Sequence, residues 1–325
     1  MSRRRAGWSV TCADTDAPRD GAIALNISVL RPLSRPAGVV TYIGSLPCTR
    51  DQPRSRNDDH FPITGRQARR VFGGGGSIGA AVAKELAAQG AEVFLAGRNA
   101  ASIELVAKQI NDAGGVAHTR VVDALDTAAV DAFIASVVHE TGSLDIEFNA
   151  TGPRISEYGN GKAVLDLTIE EFLTPVNTVL RSCFVTARAA ARQMSKQGSG
   201  VIIFVTGSPA RPHDPGASGI GAAFGAVENL TRSMALELGT AGVRVVCVRT
   251  AANSDSRSIL DTTHAMAKLM NITPQQASAA LAQMTMLKVS PQTTDTAKAA
   301  AFLASEAARM ITGAVLNASA GAVSD

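Results

Sequence analysis

The chain has 325 residues, 46% of them apolar and 18% charged, the size of one large globular domain or two small ones. That balance excludes a wholly disordered or collagen-like chain, and no apolar run approaches the roughly 20 residues a membrane-spanning helix needs. The net charge of +3 is uneven: residues 1–70 hold 12 Arg and 6 Asp with no Lys or Glu, so the remainder is slightly acidic and unlike a nucleic-acid binder.

Residues 1–70 contain six of the 13 prolines and no sustained apolar period, which predicts a disordered or poorly ordered N-terminal extension. Arg3-Arg4-Arg5 is not followed by the apolar core of a signal peptide, and the six aspartates argue against a transit peptide. Lys84 and Glu85 are the first Lys and Glu of the chain, so composition changes abruptly near Val71. Two readings stay open: an upstream stretch outside the working protein, such as an over-long start assignment, or a genuine variable tail. A single domain is expected over 71–325, soluble and cytoplasmic. The four cysteines show neither metal-ligand nor redox-pair spacing, which suits a reducing compartment, and no metal is expected.

From Val71 the pattern becomes regular. Val71-Phe72 leads into Gly73-Gly74-Gly75-Gly76-Ser77-Ile78-Gly79 and then a run of helix formers, Ala80 to Gln89, predicting strand, tight turn and helix. Glycines admit a pyrophosphate close to the backbone, and the free amides of the helix start supply donors and a positive dipole end. Gly74, Gly76 and Gly79 satisfy the dinucleotide fingerprint, although four consecutive glycines leave the register open. Arg69 and Arg70 precede a strand that should be buried on both faces, so either that strand begins late at Val71 or unpaired buried charge compromises the domain.

A second strand, Ala91 to Ala96, ends at Gly97-Arg98-Asn99. An acidic residue there would hold the ribose 2′-hydroxyl of NAD, whereas a basic one accommodates the 2′-phosphate of NADP, so Arg98 favours NADP. The alternative is a solvated surface arginine. Further elements follow in order: helix 101–113, strand 116–122 ending at Asp123, helix 127–140, strand 144–148 running into Asn149-Ala150-Thr151-Gly152, a long helix 169–197, strand 201–205, helix 219–239 and strand 243–248. Repeated strand and helix predicts a parallel sheet with helices on both faces and a ligand site beyond the strands' carboxyl ends.

Over nearly all of 71–325 these residues resemble the short-chain dehydrogenase/reductase family. The resemblance rests on Gly73-x3-Ser77-Ile78-Gly79, with Ser77 in place of the middle glycine, on Asp123 as the adenine-contacting aspartate, and on Asn149-Ala150-Thr151-Gly152 for its Asn-Asn-Ala-Gly motif. Asn177 resembles the active-site asparagine of the long helix, Ser208 the catalytic serine after the fifth strand, and 311–317 the last strand. The resemblance implies a Rossmann-type doubly wound α/β fold of about seven strands, an NADP cofactor, a small-molecule substrate and a homodimer or homotetramer. It places Gly73, Gly74, Gly76, Ser77, Ile78, Gly79, Arg98, Asp123, Asn149 and Ala150 at the cofactor, and Ser208 and Asn177 at the chemistry.

The family's acid is a Tyr with a Lys four residues later on the next helix. Aligning 230–238 puts Ile220 at the Tyr position and Phe224 at the Lys position, and the chain has no Tyr after Tyr158 and no Lys between Lys196 and Lys268. Thr250-Ala251 replaces the family's Pro-Gly pair. Ile220 and Phe224, one turn apart, would present an apolar patch to the pocket. Tyr158-Gly159-Asn160-Gly161-Lys162 matches the Tyr-x3-Lys spacing, but two glycines make a helix improbable. Tyr158 is either a replacement acid or a surface or lid tyrosine. His213, with Asp214 in a proline-rich loop, is either a loop-borne acid or an exposed histidine. The region 251–292 resembles the family's substrate cover, with helices near 258–270 and 274–286, whose Met266, Met270, Met284 and Met286 either line an apolar pocket or pack ordinarily. Two functions follow: an NADP-dependent oxidoreductase acting on a carbonyl, hydroxyl or enone with a non-standard proton donor, or an inactive NADP-binding sensor or partner-stabilising subunit.

Overall fold

Among the described residues, runs rich in Val, Ile and Phe build seven strands, and Ala- and Leu-rich runs build the helices between them. A computed structural model describes residues 68–211 and 215–325. In chain order the main elements are β1 Ala68–Phe72, α1 Ser77–Ala88, β2 Glu92–Gly97, α2 Ala100–Asp112, β3 Val116–Val121, α3 Thr127–Thr141 and β4 Ile146–Asn149. The second half comprises α4 Ile169–Pro175, α5 Arg181–Gln197, β5 Gly200–Gly207, α6 Ser218–Leu238, β6 Val243–Thr250, α7 Arg257–Met270, α8 Pro274–Gln283, α9 Thr293–Ala304 and β7 Val315–Ala318. The seven strands form one sheet in the order β3-β2-β1-β4-β5-β6-β7, with every pair parallel. This is the doubly wound, Rossmann-type arrangement expected from the sequence.

Two apolar layers cover the sheet. Residues of α1, α2 and α9 pack with Leu95, Ile146, Ile203 and Val246 on one face. Residues of α3, α5 and α6 pack with Phe94, Ile202, Phe204 and Val245 on the other. Strands buried on both faces read as continuous apolar runs, which is why β5 and β6 were plain in the sequence. Among the described residues, no helix is long and apolar enough to cross a membrane.

Four expectations need correcting or refining. The first strand does not begin late at Val71: its ladder starts at Ala68, with Arg69 opposite Val93 and Ile146, and Arg70 opposite Phe94 and Glu147. Backbone pairing to two neighbours sustains a strand through residues whose side chains argue against it. The predicted helix 169–197 is continuous in right-handed helical backbone, but it is not regular: just after Pro175, which lacks the N–H of a regular ladder, a π-turn over Val176–Leu180 joins α4 to α5. The helix expected over 274–286 stops at Gln283. The last strand is only Val315–Ala318: Gly313 has a left-handed backbone (φ 65°), although its N–H still donates to Val245 O of β6 at 2.8 Å.

Sequence inspection also missed a charge pair in the core. Arg249 on β6 is fully buried, donating from Nε to Glu228 Oε1 on α6 at 2.7 Å and from Nη2 to Oε2 at 2.8 Å. Its Nη1 donates to the Asp325 side chain, and Thr206 Oγ1 donates to Glu228 Oε1 at 3.3 Å. Breaking a buried pair costs about 3–5 kcal/mol, whereas exchanging both members for apolar residues is often neutral. Glu228→Ala is therefore expected to lower the urea midpoint strongly, and Glu228→Leu combined with Arg249→Met to recover most of it. Equal losses in both variants would show that pairing is not what these residues contribute.

Candidate cofactor and active site

The sheet's topology puts the carboxyl ends of β1 and β4 side by side, with Phe72 opposite Asn149. The chain leaves β1 through Gly73 in the left-handed region (φ 73°), where a Cβ would stand 2.9 Å from the Ala150 carbonyl carbon. Gly74 N–H donates to Ala96 O at 3.1 Å and Gly76 N–H to Gly73 O at 2.9 Å, folding the turn back onto the start of α1. A Cβ on Gly79 would come within 2.3 Å of Gly73 O, so this position also requires glycine. These contacts settle the register left open by four successive glycines: the turn is Gly73 to Gly76, and Ser77 opens the helix.

Gly76 caps α1 without a side-chain bond, and no acidic residue lies in the first turn. The first-turn amides thus retain their donors, and Gly75 and Gly76 are exposed, leaving space for an anionic group against bare backbone. That cradle fits a dinucleotide's pyrophosphate.

Beside it opens a cleft of about 180 Å³, lined by Gly73 and Gly76, by Gly97 and Arg98 after β2, by Asp123 after β3, and by Ala150, Thr151 and Gly152 after β4. Five predicted cofactor residues, Gly73, Gly76, Arg98, Asp123 and Ala150, therefore meet in one place. Arg98 is exposed and makes no ion pair among the described residues. Asp123 is half-buried, with Oδ1 accepting from Leu125 N at 3.0 Å. Gly74, Ser77, Ile78 and Gly79 lie in the turn and helix start behind the cleft wall. Asn149 does not line the cleft. It is buried, donating to Thr186 Oγ1 at 2.9 Å and accepting from Thr151 N at 2.7 Å, and so holds the loop after β4 from beneath.

The candidate catalytic residues come from two further elements. Ser208 is half-buried in the short turn Ser208–Ala210 that follows β5. Asn177 is exposed in the π-turn before α5, a type of helix irregularity common at functional sites. On α6, Ile220 is buried and Phe224 half-buried, and the Phe224 ring lies where a Cβ on Gly207 would approach it to 3.1 Å. An apolar surface thus abuts the residue just before Ser208. His213 lies outside the described residues.

A family model described as enoyl-(acyl carrier protein) reductase matches residues 74–322. The chain belongs to the short-chain dehydrogenase/reductase family. Among this family's members, the 7alpha-hydroxysteroid dehydrogenase of Escherichia coli is 29% identical over 270 residues, covering 83% of this chain and 98% of that protein. The gluconate 5-dehydrogenase of Gluconobacter oxydans is 31% identical over 187 residues, covering 58% of this chain and 71% of that one. A solved structure of an actinorhodin polyketide ketoreductase variant with NADPH superposes with a TM-score of 0.73 at 22% identity, over 79% of this chain and 97% of that chain. These oxidoreductase relatives support an NAD(P)-dependent oxidoreductase.

Within this short-chain dehydrogenase/reductase scaffold, Tyr158 and Lys162 do not form a helical Tyr-x3-Lys pair. Gly159 (φ 61°) and Gly161 (φ 89°) adopt left-handed backbone between them. Lys162 Nζ instead donates to Glu171 Oε1 at 2.6 Å. Gly161 N–H donates to Gly216 O at 2.8 Å, docking the loop against the approach to α6. Tyr158 packs on the same apolar cluster as Val176, Ala217 and Phe224. In the region 251–292, Met270, Met284 and Met286 are exposed and Met266 is half-buried, so ordinary core packing does not describe the first three.

Burial pushes the Tyr158 phenol up to about 12. The fold therefore favours its protonated form, a contribution present below the ordinary value of 10.0 and lost as pH rises toward about 12. The tyrosinate signal assigned through Tyr158→Phe should emerge only in that range. Titration at the ordinary value in folded protein would show a solvated phenol.

Proposed function

We propose that the protein is an NADP(H)-dependent oxidoreductase that transfers hydride to or from a small carbonyl, hydroxyl or enone substrate, using a proton donor other than the family's Tyr and Lys. The observation that carries this reading is the apolar surface of Ile220 and Phe224 on α6, with the Phe224 ring against Gly207 just before Ser208, in a scaffold whose glycine turn and cleft fit a dinucleotide. Bound NADPH would supply the hydride, which is the cofactor's own chemistry. Arg98 supports the choice of cofactor: it projects from the carboxyl end of β2, where Gly97-Arg98-Asn99 offers no carboxylate to a ribose 2′-hydroxyl.

The chain's own groups then orient and polarise. Ser208 and Asn177 carry the hydrogen-bonding groups assigned to the substrate oxygen, Ser208 as the donor nearest the apolar face. A hydroxyl and a carboxamide orient the oxygen by hydrogen bonding and do not replace a general acid, whose effect is typically about 10²–10⁴ in rate. Tyr158, raised toward about 12 by burial and without a lysine beside it, is a reluctant proton source. Reduction of a polarised C=C bond passes through an enolate, more stable than the alkoxide of ketone reduction, and so asks less of an acid at oxygen. Enones are therefore the favoured substrate class, and the matched family model carries an enoyl reduction in its description.

Two measurements test this. NADPH should bind at least about tenfold more tightly than NADH, and Arg98→Ala should remove most of the difference, each tenfold corresponding to about 1.4 kcal/mol. A preference for NADH would defeat the cofactor assignment. NADPH oxidation should be faster with enones than with matched saturated ketones, Ser208→Ala should lower it about 10–100-fold, and Ile220→Tyr with Phe224→Lys should raise the ketone rate toward the lost general-acid factor. Flat traces across a broad panel despite tight NADPH binding would instead favour a nucleotide-binding subunit without turnover.

A further inference from the structure

Ser77 opens α1, and its hydroxyl makes a contact that a glycine there could not. Ser77 Oγ accepts a hydrogen bond at 3.1 Å from the backbone N–H of Arg257, the first residue of α7, 180 positions along the chain. The N–H groups of a helix's first turn have no partner within the helix. At the start of α7 the Ser256 side chain serves Ile259 N, and Ser77 serves Arg257 N. One side chain thus joins the glycine turn to the beginning of the substrate-covering region.

The hydroxyl is placed to respond to what occupies the turn. A serine hydroxyl has one hydrogen to donate and two lone pairs, and among the described residues Ser77 uses only its accepting side. Donation to an anion makes a hydroxyl a better acceptor, so an anionic group at the exposed Gly75–Gly76 backbone would strengthen the bond to Arg257 N. The effect would reach the active site, because α7 packs on α8 and touches the turn Ile155–Glu157, which leads directly into Tyr158.

We propose that Ser77 is a positioning residue that latches α7 to the cofactor-phosphate turn, so that dinucleotide binding orders the substrate cover and an ordered cover tightens dinucleotide binding. The second half follows from the first, since coupling between two equilibria is reciprocal. The proposal rests on the reading of the glycine turn as an NADP(H) site.

Amide exchange read by mass spectrometry, with and without NADPH, tests the latch in the full chain. Ser77→Ala removes the acceptor, and Ser77→Thr restores a hydroxyl. Arg257→Pro removes the donor at the first helical position, where proline is best tolerated, after a Ser256 whose backbone (φ −79°, ψ 143°) suits a following proline. Arg257→Ala keeps the N–H and controls for the guanidinium. NADPH is expected to slow exchange across 257–270 in the wild type, Ser77→Thr and Arg257→Ala. Ser77→Ala and Arg257→Pro should lose that protection and bind NADPH about 5–10-fold more weakly. Equal protection in all five proteins overturns the latch, as does equal loss in Arg257→Ala and Arg257→Pro, which would assign the effect to the side chain. NADPH binding without protection in the wild type overturns the latch and leaves the functional reading standing. Absence of NADPH binding in the wild type overturns both.

Discussion

At the carboxyl edge of the sheet the backbone of Gly73 lies against that of Ala150, so closely that no side chain fits between them. This approach is the constraint on which the site depends. It exists because β1 and β4 are neighbours while the chain departs from them in opposite directions, which opens a crevice at the strand ends. The left-handed Gly73 turns the chain into that crevice, Gly79 lets α1 press against the turn, and the helix start then presents unpaired amides. Asn149, buried beneath, fixes the facing loop through Thr186 and Thr151. A cradle for a pyrophosphate is therefore a consequence of packing as much as of composition.

The same scaffold carries an unusual face on α6. Ile220, Phe224 and Glu228 recur at four-residue intervals, so they follow one another along a single side of the helix. The first two are apolar, and Phe224 adjoins Gly207 just before Ser208, whereas Glu228, a turn further on, binds the buried Arg249. Charge is present on this face, but it is held by a guanidinium and not delivered toward Ser208. Since function resides in the site and not in the fold, the family's architecture is compatible here with a different distribution of proton-transfer work.

Much of the architecture was legible in the residues because burial on both faces leaves long apolar strands, and helices covering them leave Ala- and Leu-rich stretches. The breaks in pattern were less legible for identifiable reasons. Arg69 and Arg70 contradict a buried strand by composition, yet ladders on both sides extend β1 through them. The 169–197 stretch is helical throughout, as its composition predicts, and only the π-turn after Pro175 was not legible in it. Tyr158 and Lys162 matched a catalytic spacing as text, while Gly159 and Gly161 forbid the helix that would give that spacing meaning.

The sequence by itself determined the order of strands and helices, the glycine-rich turn with Arg98 and Asp123 at the ends of the next two strands, and the absence of Tyr and Lys from 219–239. These are local properties, set by residue type and short-range period. Only the tertiary structure decided the register of the four glycines, the burial of Asn149 away from the cleft, the Arg249–Glu228 pair and the bond from Arg257 to Ser77. Each of these joins residues far apart in the chain, and a hydrogen bond or close approach across such separations leaves no periodic trace in the sequence that forms it.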